Sequence, residues 1–334
     1  MDYTSEPVQD LVNDSTVESV FGPVVIFVPC VFGAIGVIAN LSMIFAVLCN
    51  IQLRNITNIM IVNAAVGDIM AILIMLPTNA YVLLHSVWPF GDFLCKLSNM
   101  VNMYSLTTSA YSFCALSTDR YMAVARPLTY RTHRNRRITF CIVAIDLIGL
   151  ISVIPTYFLA YERSNVCFYL DHGTLVAKIH EIVLFIFVYI IPLLIISVNY
   201  IRIASVLMRS IRHQLFEGDS NAAVKQHATR VRLTKTVLLI IVLYGLCMLP
   251  YYLANIVIQF LKITALEGFF KTMYFPSSIC YVLATLVNPV MMFTLSKTYR
   301  RHFMRCPCFK RTERPVTGSN MMTAITRRTA VIDH

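Results

Sequence analysis

The amino-acid sequence contains little charge. Asp, Glu, Lys and Arg make up 13% of its 334 residues, whereas soluble domains carry about 25% charged residues. It also has no internal repeat, no separate polar domain, and no nucleophile–base or metal-ligand spacing of the kind that an enzyme uses. These absences argue against a soluble protein, a repeat protein and an enzyme. They leave lipid as the solvent for much of the chain.

What the sequence does have is seven apolar runs, each long enough to span a membrane. The runs lie at residues 22–49, 58–84, 94–125, 138–160, 176–208, 232–261 and 270–294. Six of them carry an internal proline, which kinks a membrane helix, and the third carries none. A central helix without a kink, surrounded by bent ones, predicts an all-α seven-helix bundle with a cavity that opens at one end.

The third run sets the frame of the bundle. It reaches from Cys95 to the pair Asp119–Arg120 without Pro or Gly, and its only other charge is Lys96 at the start. As one helix it would be about 37 Å long, slightly more than a hydrocarbon core of about 30 Å. It therefore places a cysteine at one membrane face and an acid–base pair at the opposite face.

The stretch Asp119-Arg120-Tyr121, followed by Pro127-Leu128, resembles the third-helix signature of rhodopsin-like G-protein-coupled receptors. Polar residues and prolines of the other runs match the same family: Asn40, Asp68, Pro192, Tyr200, Asn288 and Pro289. The resemblance covers about residues 22–306. It implies a seven-transmembrane bundle with an amphipathic eighth helix and a non-enzymatic, signal-transducing role.

In the orientation that the resemblance implies, the Cys95 end of the third helix lies outside the cell. Five of the 28 Lys and Arg residues then lie outside, namely Lys96, Arg163, Lys178, Lys262 and Lys271. This distribution matches the positive-inside bias of multi-pass membrane proteins. It explains the net charge of +11 without nucleic acid. We expect a plasma-membrane protein with its N-terminus outside.

Of the ten cysteines, Cys95 and Cys167 are the two in segments placed on the oxidising outer side, and we predict a disulfide between them. The chain divides into an acidic outer tail (1–21), the bundle (22–295), an amphipathic helix on the inner leaflet (296–306) and a disordered cytoplasmic tail (307–334). No basic start precedes the acidic tail, so no cleavable signal peptide is expected. Asn13 begins a glycosylation sequon, and Cys306 and Cys308 are palmitoylation candidates.

The resemblance implies a G-protein-coupling end. It assigns this role to Asp119, Arg120, Tyr121, Leu128 and Tyr200. Arg120 is expected to pair with Asp119 at rest and to swing toward the G protein on activation, where Tyr200 receives it. Leu128 matches the residue that fills a hydrophobic pocket on the G protein. Arrestin, receptor kinases and membrane lipid are further expected partners.

Asp68 is a carboxylate in the middle of an apolar run, where an ionisable group requires partners. Ser109 and Asn288 match the family's partners for it, and the family commonly binds a sodium ion there. The alternative is a hydrogen-bonded Asp68 without an ion. No other cofactor is expected.

Three residues depart from the family's pattern. Met248 stands where Trp is usual, and Met292 stands where Tyr is usual. Asp146 stands where Trp is typical, and it is either a second buried acid or an acid that faces a polar neighbour.

The outer cavity indicates the ligand class. Asn102 occupies the position at which amine receptors keep an aspartate, and the seventh run lacks the lysine of opsins. The alternating residues around Cys167 resemble the hairpin lid of peptide receptors, which leaves the cavity open. We predict a neuropeptide receptor, similar to the somatostatin, galanin and allatostatin group, with a small-molecule chemoreceptor as the alternative. A transporter or channel would need a charged pore or paired broken helices, and neither occurs.

The expected ligand contacts are polar and aromatic: Asn99, Asn102, Glu181, Tyr251, Tyr252, Asn255, Gln259 and Tyr274. Five acids and no bases in the first 20 residues predict a ligand with at least one basic group. The alternative is an acidic tail that only aids solubility.

Overall fold

The computed structural model describes residues 21–54, 56–85, 87–125, 134–217, 221–261, 273, 275–295 and 299–301. The first four helices are α1 (Phe21–Cys49), α2 (Ile56–His85), α3 (Gly91–Ala125) and α4 (Arg134–Leu159). Helix α5 comprises Leu175–Leu184, a π-helical turn at Phe185–Ile190, and Ile191–Glu217. Helix α6 spans Asn221–Ile258, and α7 comprises Phe275–Ala284 and Val287–Leu295. The predicted all-α bundle is confirmed.

The outer faces of the bundle are apolar. Within the described residues, α1, α2, α4, α5 and α6 are long and apolar enough to cross a membrane. Phe45, Phe140 and Phe158 are 70%, 72% and 76% exposed. A soluble protein rarely exposes contiguous apolar surface of this kind, so these faces contact lipid and the chain crosses the membrane several times.

Helix α3 differs from the others because it is central and polar. It contacts α2, α4, α5 and α6. Its buried face carries a series of small hydroxyl side chains: Ser105, Thr107, Thr108, Ser109 and Ser112. Thr108 Oγ1 bonds within its own helix, to the carbonyl oxygen of Tyr104 at 2.8 Å, whereas Thr107 Oγ1 bonds Ser152 Oγ on α4 at 3.0 Å. A long polar helix is therefore stable here only because other helices surround it.

The hairpin between α4 and α5 consists of β1 (Ala160–Arg163) and β2 (Val166–Tyr169), paired antiparallel. Ser164 and Asn165 form its two-residue turn, with positive φ angles of 52° and 59°. Both angles are positive in the turn type that suits the twist of paired strands. The hairpin that the sequence predicts is thus present, and we call it the lid.

The lid is fastened to the start of α3. The predicted disulfide joins Cys95 to Cys167, with Cα atoms 5.5 Å apart. The backbone N–H of Trp88 donates to the carbonyl oxygen of Asn165 at 2.6 Å. The backbone N–H of Glu162 donates to a carboxylate oxygen of Asp92 at 3.0 Å.

Several predictions fall on parts of the chain outside the described residues. These parts include the tails 1–20 and 302–334, with Asn13, Cys306 and Cys308, so glycosylation and palmitoylation stay predictions. Of the predicted amphipathic helix 296–306, the structure describes residues 299–301. There Arg300 Nη1 donates to the carbonyl oxygens of Phe293 and Thr294 at 3.3 and 3.1 Å, which satisfies the end of α7.

Candidate ligand cavity and coupling end

The bundle has two ends, which we call the lid end and the Arg120 end. At the lid end, the segment after β2 is joined to α6. The backbone N–H of Gly173 donates to Gln259 Oε1 at 3.1 Å, and His172 Nε2 lies 3.1 Å from the carbonyl oxygen of Leu261. Gly173 has a φ of +74°, which a side chain would strain. The segment that follows the lid is therefore tied to the residues directly after α6.

Two tyrosines of the lid are held by polar contacts. The Tyr161 hydroxyl donates to Asp171, and this bond raises the pKa of Tyr161 above its ordinary value. The Tyr169 hydroxyl lies 3.3 Å from His180 Nε2, near the start of α5. Burial, and to a smaller extent the charge of Glu181, raise the pKa of Tyr169. The lid therefore lies close to Glu181.

Glu181 is the unpaired acid of the lid end. It is 8% exposed. No hydrogen-bond donor or cation of the described residues contacts its carboxylate. An ionised carboxylate without partners in such a place costs several kcal/mol. Glu181 is therefore a buried acceptor to which a donor of a bound ligand can bond.

Asn102 is a second acceptor without a donor. Its Nδ2 donates to the hydroxyl of Tyr251 at 3.1 Å. Its Oδ1 is buried and has no hydrogen-bond partner among the described residues. The ring of Tyr251 stacks on that of Tyr281 with centroids 5.2 Å apart. An aromatic surface thus lies beside an acceptor that can take a bond from an N–H or O–H group.

Several of the other predicted ligand contacts already have partners within the bundle. Asn99 Nδ2 donates to the carbonyl oxygen of Cys95, and Asn255 Nδ2 donates to that of Tyr251, at 2.9 and 2.8 Å. Tyr252 is buried among aromatic rings, 5.3 Å from that of Tyr189. Their contact with a ligand stays a prediction, as does that of Gln259. Tyr274 lies outside the described residues.

In the middle of the bundle, Asp68 is surrounded by donors. Its Oδ1 accepts from Ser105 Oγ and Ser109 Oγ, both at 3.2 Å, and its Oδ2 accepts from Asn288 Nδ2 at 2.6 Å. Asn288 Oδ1 is buried without a partner among the described residues, as is Asn40 Oδ1. Ser109 and Asn288, the partners predicted from the sequence, both donate to Asp68. Ser105 was missed, although it precedes Ser109 by one helical turn.

At the opposite end, Arg120 Nη2 donates to Thr57 Oγ1 on α2. Thr57 was not anticipated, and the resting pair of Arg120 with Asp119 stays a prediction. Tyr200 is buried, and its hydroxyl has no hydrogen-bond partner in the described part of the chain. Met292 is fully buried in the same apolar cluster.

Two further contacts fix α5 against α3 at this end. Asn199 Nδ2 donates to Ser117 Oγ and Thr118 Oγ1 at 2.9 and 3.0 Å. The guanidinium of Arg202 lies 5.9 Å from the centre of the Tyr121 ring. Leu128 lies outside the described residues.

Of the two interpretations of Asp146, a second buried acid or an acid that faces a polar neighbour, the second is confirmed. Its Oδ1 accepts from Asn63 Nδ2 at 3.0 Å and from the Tyr104 hydroxyl at 3.1 Å. Asp146 is half-buried and joins α4 to α2 and α3. The sequence signal was present, because Asn63 and Tyr104 are polar residues within apolar runs.

Met248, the other departure, is 3% exposed. It packs in one cluster with Tyr189, Tyr252 and Tyr281. Methionine fills irregular gaps between such rings because its side chain is flexible.

Residues 39–291 match the protein family described as "7 transmembrane receptor (rhodopsin family)". The Neuropeptide CCHamide-1 receptor of Drosophila melanogaster is 30% identical over 326 residues, which cover 90% of this chain but 64% of that receptor's length. Bombesin receptor subtype-3 of Ovis aries is 31% identical over 287 residues, 81% of this chain and 71% of the relative. The [Phe13]-bombesin receptor of Bombina orientalis is 27% identical over 315 residues, 88% of this chain and 79% of the relative. Together with the lid, the buried Asp68 network and the Asp119-Arg120-Tyr121 sequence, these matches show that the chain belongs to the seven-transmembrane receptors of the rhodopsin family.

Proposed function

We propose that this protein is a plasma-membrane receptor that binds an extracellular peptide at the lid end and activates a heterotrimeric G protein at the Arg120 end. The similarity to receptors named for the neuropeptide CCHamide-1 and for bombesin supports a peptide ligand. The observation that carries the proposal is the buried Glu181 carboxylate at the lid end, which has no donor among the described residues.

The orientation follows from charge and redox chemistry. The lid end would face outward, because a disulfide such as Cys95–Cys167 persists in an oxidising environment. The Arg120 end would face inward, where positive charge accumulates in multi-pass proteins. The N-terminal tail would then lie outside.

The peptide would carry at least one basic group. A cation that reaches Glu181 replaces the missing partner of a buried carboxylate, and such charge-assisted bonds are stronger than neutral ones. An N–H or O–H group of the peptide would donate to Asn102 Oδ1, which is also without a donor. Tyr251 and Tyr281 would supply apolar contact area beside it.

Activation would act on the Arg120 end. Arg120 would leave Thr57 and turn toward Tyr200, whose buried hydroxyl is free to accept a bond from the guanidinium. The vacated space would admit the G protein, with Leu128 as a further contact. Arrestin and receptor kinases would act on the same side after activation.

A sodium ion would bind at Asp68. The donor set fits such a hard cation, since it consists of carboxylate, hydroxyl and amide oxygens. Asn288 Oδ1, buried without a partner, is an oxygen that a cation can satisfy. Asp68, Ser109 and Asn288 would hold the ion, with Ser105 beside them.

The proposal is tested by nucleotide exchange on a purified G protein, with the receptor in nanodiscs and a peptide library applied. Cationic peptides are expected to stimulate exchange. Glu181→Gln should weaken the active peptide by about 1–3 kcal/mol, because a partly buried charge pair is lost. Arg120→Ala should abolish exchange while peptide binding persists.

Glu162→Gln is the matched control, since it removes one negative charge from the lid but keeps an acceptor for the N–H of Asn165. An equal loss in both variants would mean that only the general field attracts the peptide. A potent ligand without a cationic group, indifferent to Glu181, would overturn the basic-peptide assignment.

A further inference from the structure

Helix α5 carries two exposed arginines near the Arg120 end, Arg202 and Arg209. They are seven residues apart, so they lie on one face of the helix, separated by about 10 Å along its axis. No ion-pair partner of either arginine lies among the described residues. Two exposed cations without an ion-pair partner in the described part of the chain thus lie on one helix face, where a single anion can reach both.

The same helix face is apolar closer to the middle of the bundle. Ile195 and Val198, seven and four residues before Arg202, are 39% and 46% exposed. Measured from Leu175, Arg202 lies about 40 Å along the helix, beyond a hydrocarbon core of about 30 Å. Arg202 therefore stands at the level of the lipid headgroups, and Arg209 stands about two turns further into the water.

The side chain of Arg202 is placed for anion binding. Its guanidinium lies over the Tyr121 ring, at 5.9 Å from the ring centre. This contact uses the face of the guanidinium and leaves its N–H edges for the oxygens of a phosphate. Arg202 thus needs little ordering when the anion arrives.

We propose that Arg202 and Arg209 bind a polyphosphoinositide of the inner leaflet, whose acyl chains lie along Ile195 and Val198. The phosphodiester of this lipid lies at the membrane surface, and its ring phosphates project into the water. One molecule therefore presents phosphate at the depths of both arginines. Phosphatidylserine carries its single phosphate at the depth of Arg202 alone. The leaflet assignment rests on the orientation given under the proposed function.

The test is a titration of purified full-length receptor with fluorescent dioctanoyl phosphatidylinositol 4,5-bisphosphate, followed by anisotropy. Arg202→Gln and Arg209→Gln should each weaken binding about fivefold, and the double variant should weaken it more than tenfold. Arg163→Gln, an exposed arginine of the lid, is the matched control and should bind as the wild type does. Equal binding by the double variant and the wild type would overturn the site.

A second arm separates the phosphoinositide from general charge attraction. The thermal unfolding midpoint is measured in phosphatidylcholine nanodiscs that contain the phosphoinositide or phosphatidylserine at equal total charge. A larger rise with the phosphoinositide, lost in the double variant, supports the proposal, whereas equal rises overturn it. Neither arm contains peptide or G protein, so failure of the receptor function leaves both results valid. Antibody access to an N-terminal tag on intact cells tests the orientation separately.

Discussion

Two buried carboxylates, Asp68 in the middle of the bundle and Glu181 at the lid end, are similarly removed from solvent but differ in their donors. They are 5% and 8% exposed. Asp68 accepts three hydrogen bonds from Ser105, Ser109 and Asn288. Glu181 accepts none from the described residues. A buried polar group that is left unpaired destabilises the folded chain. The Asp68 carboxylate therefore has its hydrogen-bond donors within the chain, whereas the Glu181 carboxylate has none among the described residues.

The substitution with the largest expected effect on this difference between the two carboxylates is Asp68→Ala. It leaves three buried donors without an acceptor, and each costs about 1–3 kcal/mol, so we expect a loss of about 3–9 kcal/mol. The measurement is the thermal unfolding midpoint of the purified receptor in nanodiscs. Ser109→Ala, which removes one donor and leaves two, should lower the midpoint much less. Equal midpoints for Asp68→Ala and the wild type would show that the network contributes nothing.

The second-largest expected effect concerns the lid, which lies close to Glu181. Cys167→Ser removes the bond between lid and α3, and losing a native disulfide costs about 2–5 kcal/mol. We expect the receptor to disappear from the cell surface, as measured by antibody binding to intact cells. Cys49→Ser is the control, because Cys49 is an exposed free cysteine. Normal surface levels of the Cys167 variant would mean that the remaining contacts hold the lid.

A substitution at Glu181 should have the opposite sign to that at Asp68. Glu181→Leu removes a buried acid that has no partner among the described residues, so we expect the unliganded receptor to gain about 1–2 kcal/mol of stability. The unfolding midpoint should rise without peptide and should no longer rise when a cationic peptide is added. A midpoint that falls in the absence of peptide would reveal that Glu181 has a partner within the chain.

The smallest expected effect concerns the Arg120 end, where the buried Tyr200 hydroxyl also lacks a partner among the described residues. Met292 belongs to the same cluster but donates no hydrogen bond. Met292→Tyr should add a bond worth about 0.5–1.5 kcal/mol to the active state. That corresponds to about a two- to twelvefold shift toward activity, measured as basal nucleotide exchange at matched expression. Met292→Phe controls for overpacking, and an equal gain in both variants would remove the role of the hydroxyl.

The fold was predictable because its sequence signals are either long apolar runs or single polar residues within such runs. Apolar runs mark the helices, and a polar residue such as Asp68, Asn288 or Asp146 stands out within such a run. The lid was predictable from the alternating residues around Cys167. In each case one physical requirement, either lipid contact or strand alternation, acts on consecutive residues.

The hydrogen-bond partners of these polar residues were less predictable, because a contact between two helices cannot be read from the sequence of either helix alone. Hydroxyl residues are frequent along α3, so nothing singled out Ser105, and Thr57 is one polar residue among several at the start of α2. Asn99 and Asn255 were assigned to the cavity, but the sequence did not reveal that their amides donate to backbone carbonyls. The absence of any donor at Glu181 likewise becomes visible only when the helices are placed together.

The π-helical turn at Phe185–Ile190 determines which way Glu181 points. A π-helical turn holds one residue more than an α-helical turn. The Tyr111 hydroxyl on α3 donates to the carbonyl oxygen of Phe187, within this turn, at 3.0 Å. Removal of one residue from it would rotate the first part of α5 by about 100° relative to the part that carries Tyr200. Glu181 would move away from Tyr169 of the lid, and Tyr200 would keep its place. A single insertion or deletion in this helix is therefore enough to change what the receptor recognises without altering how it signals.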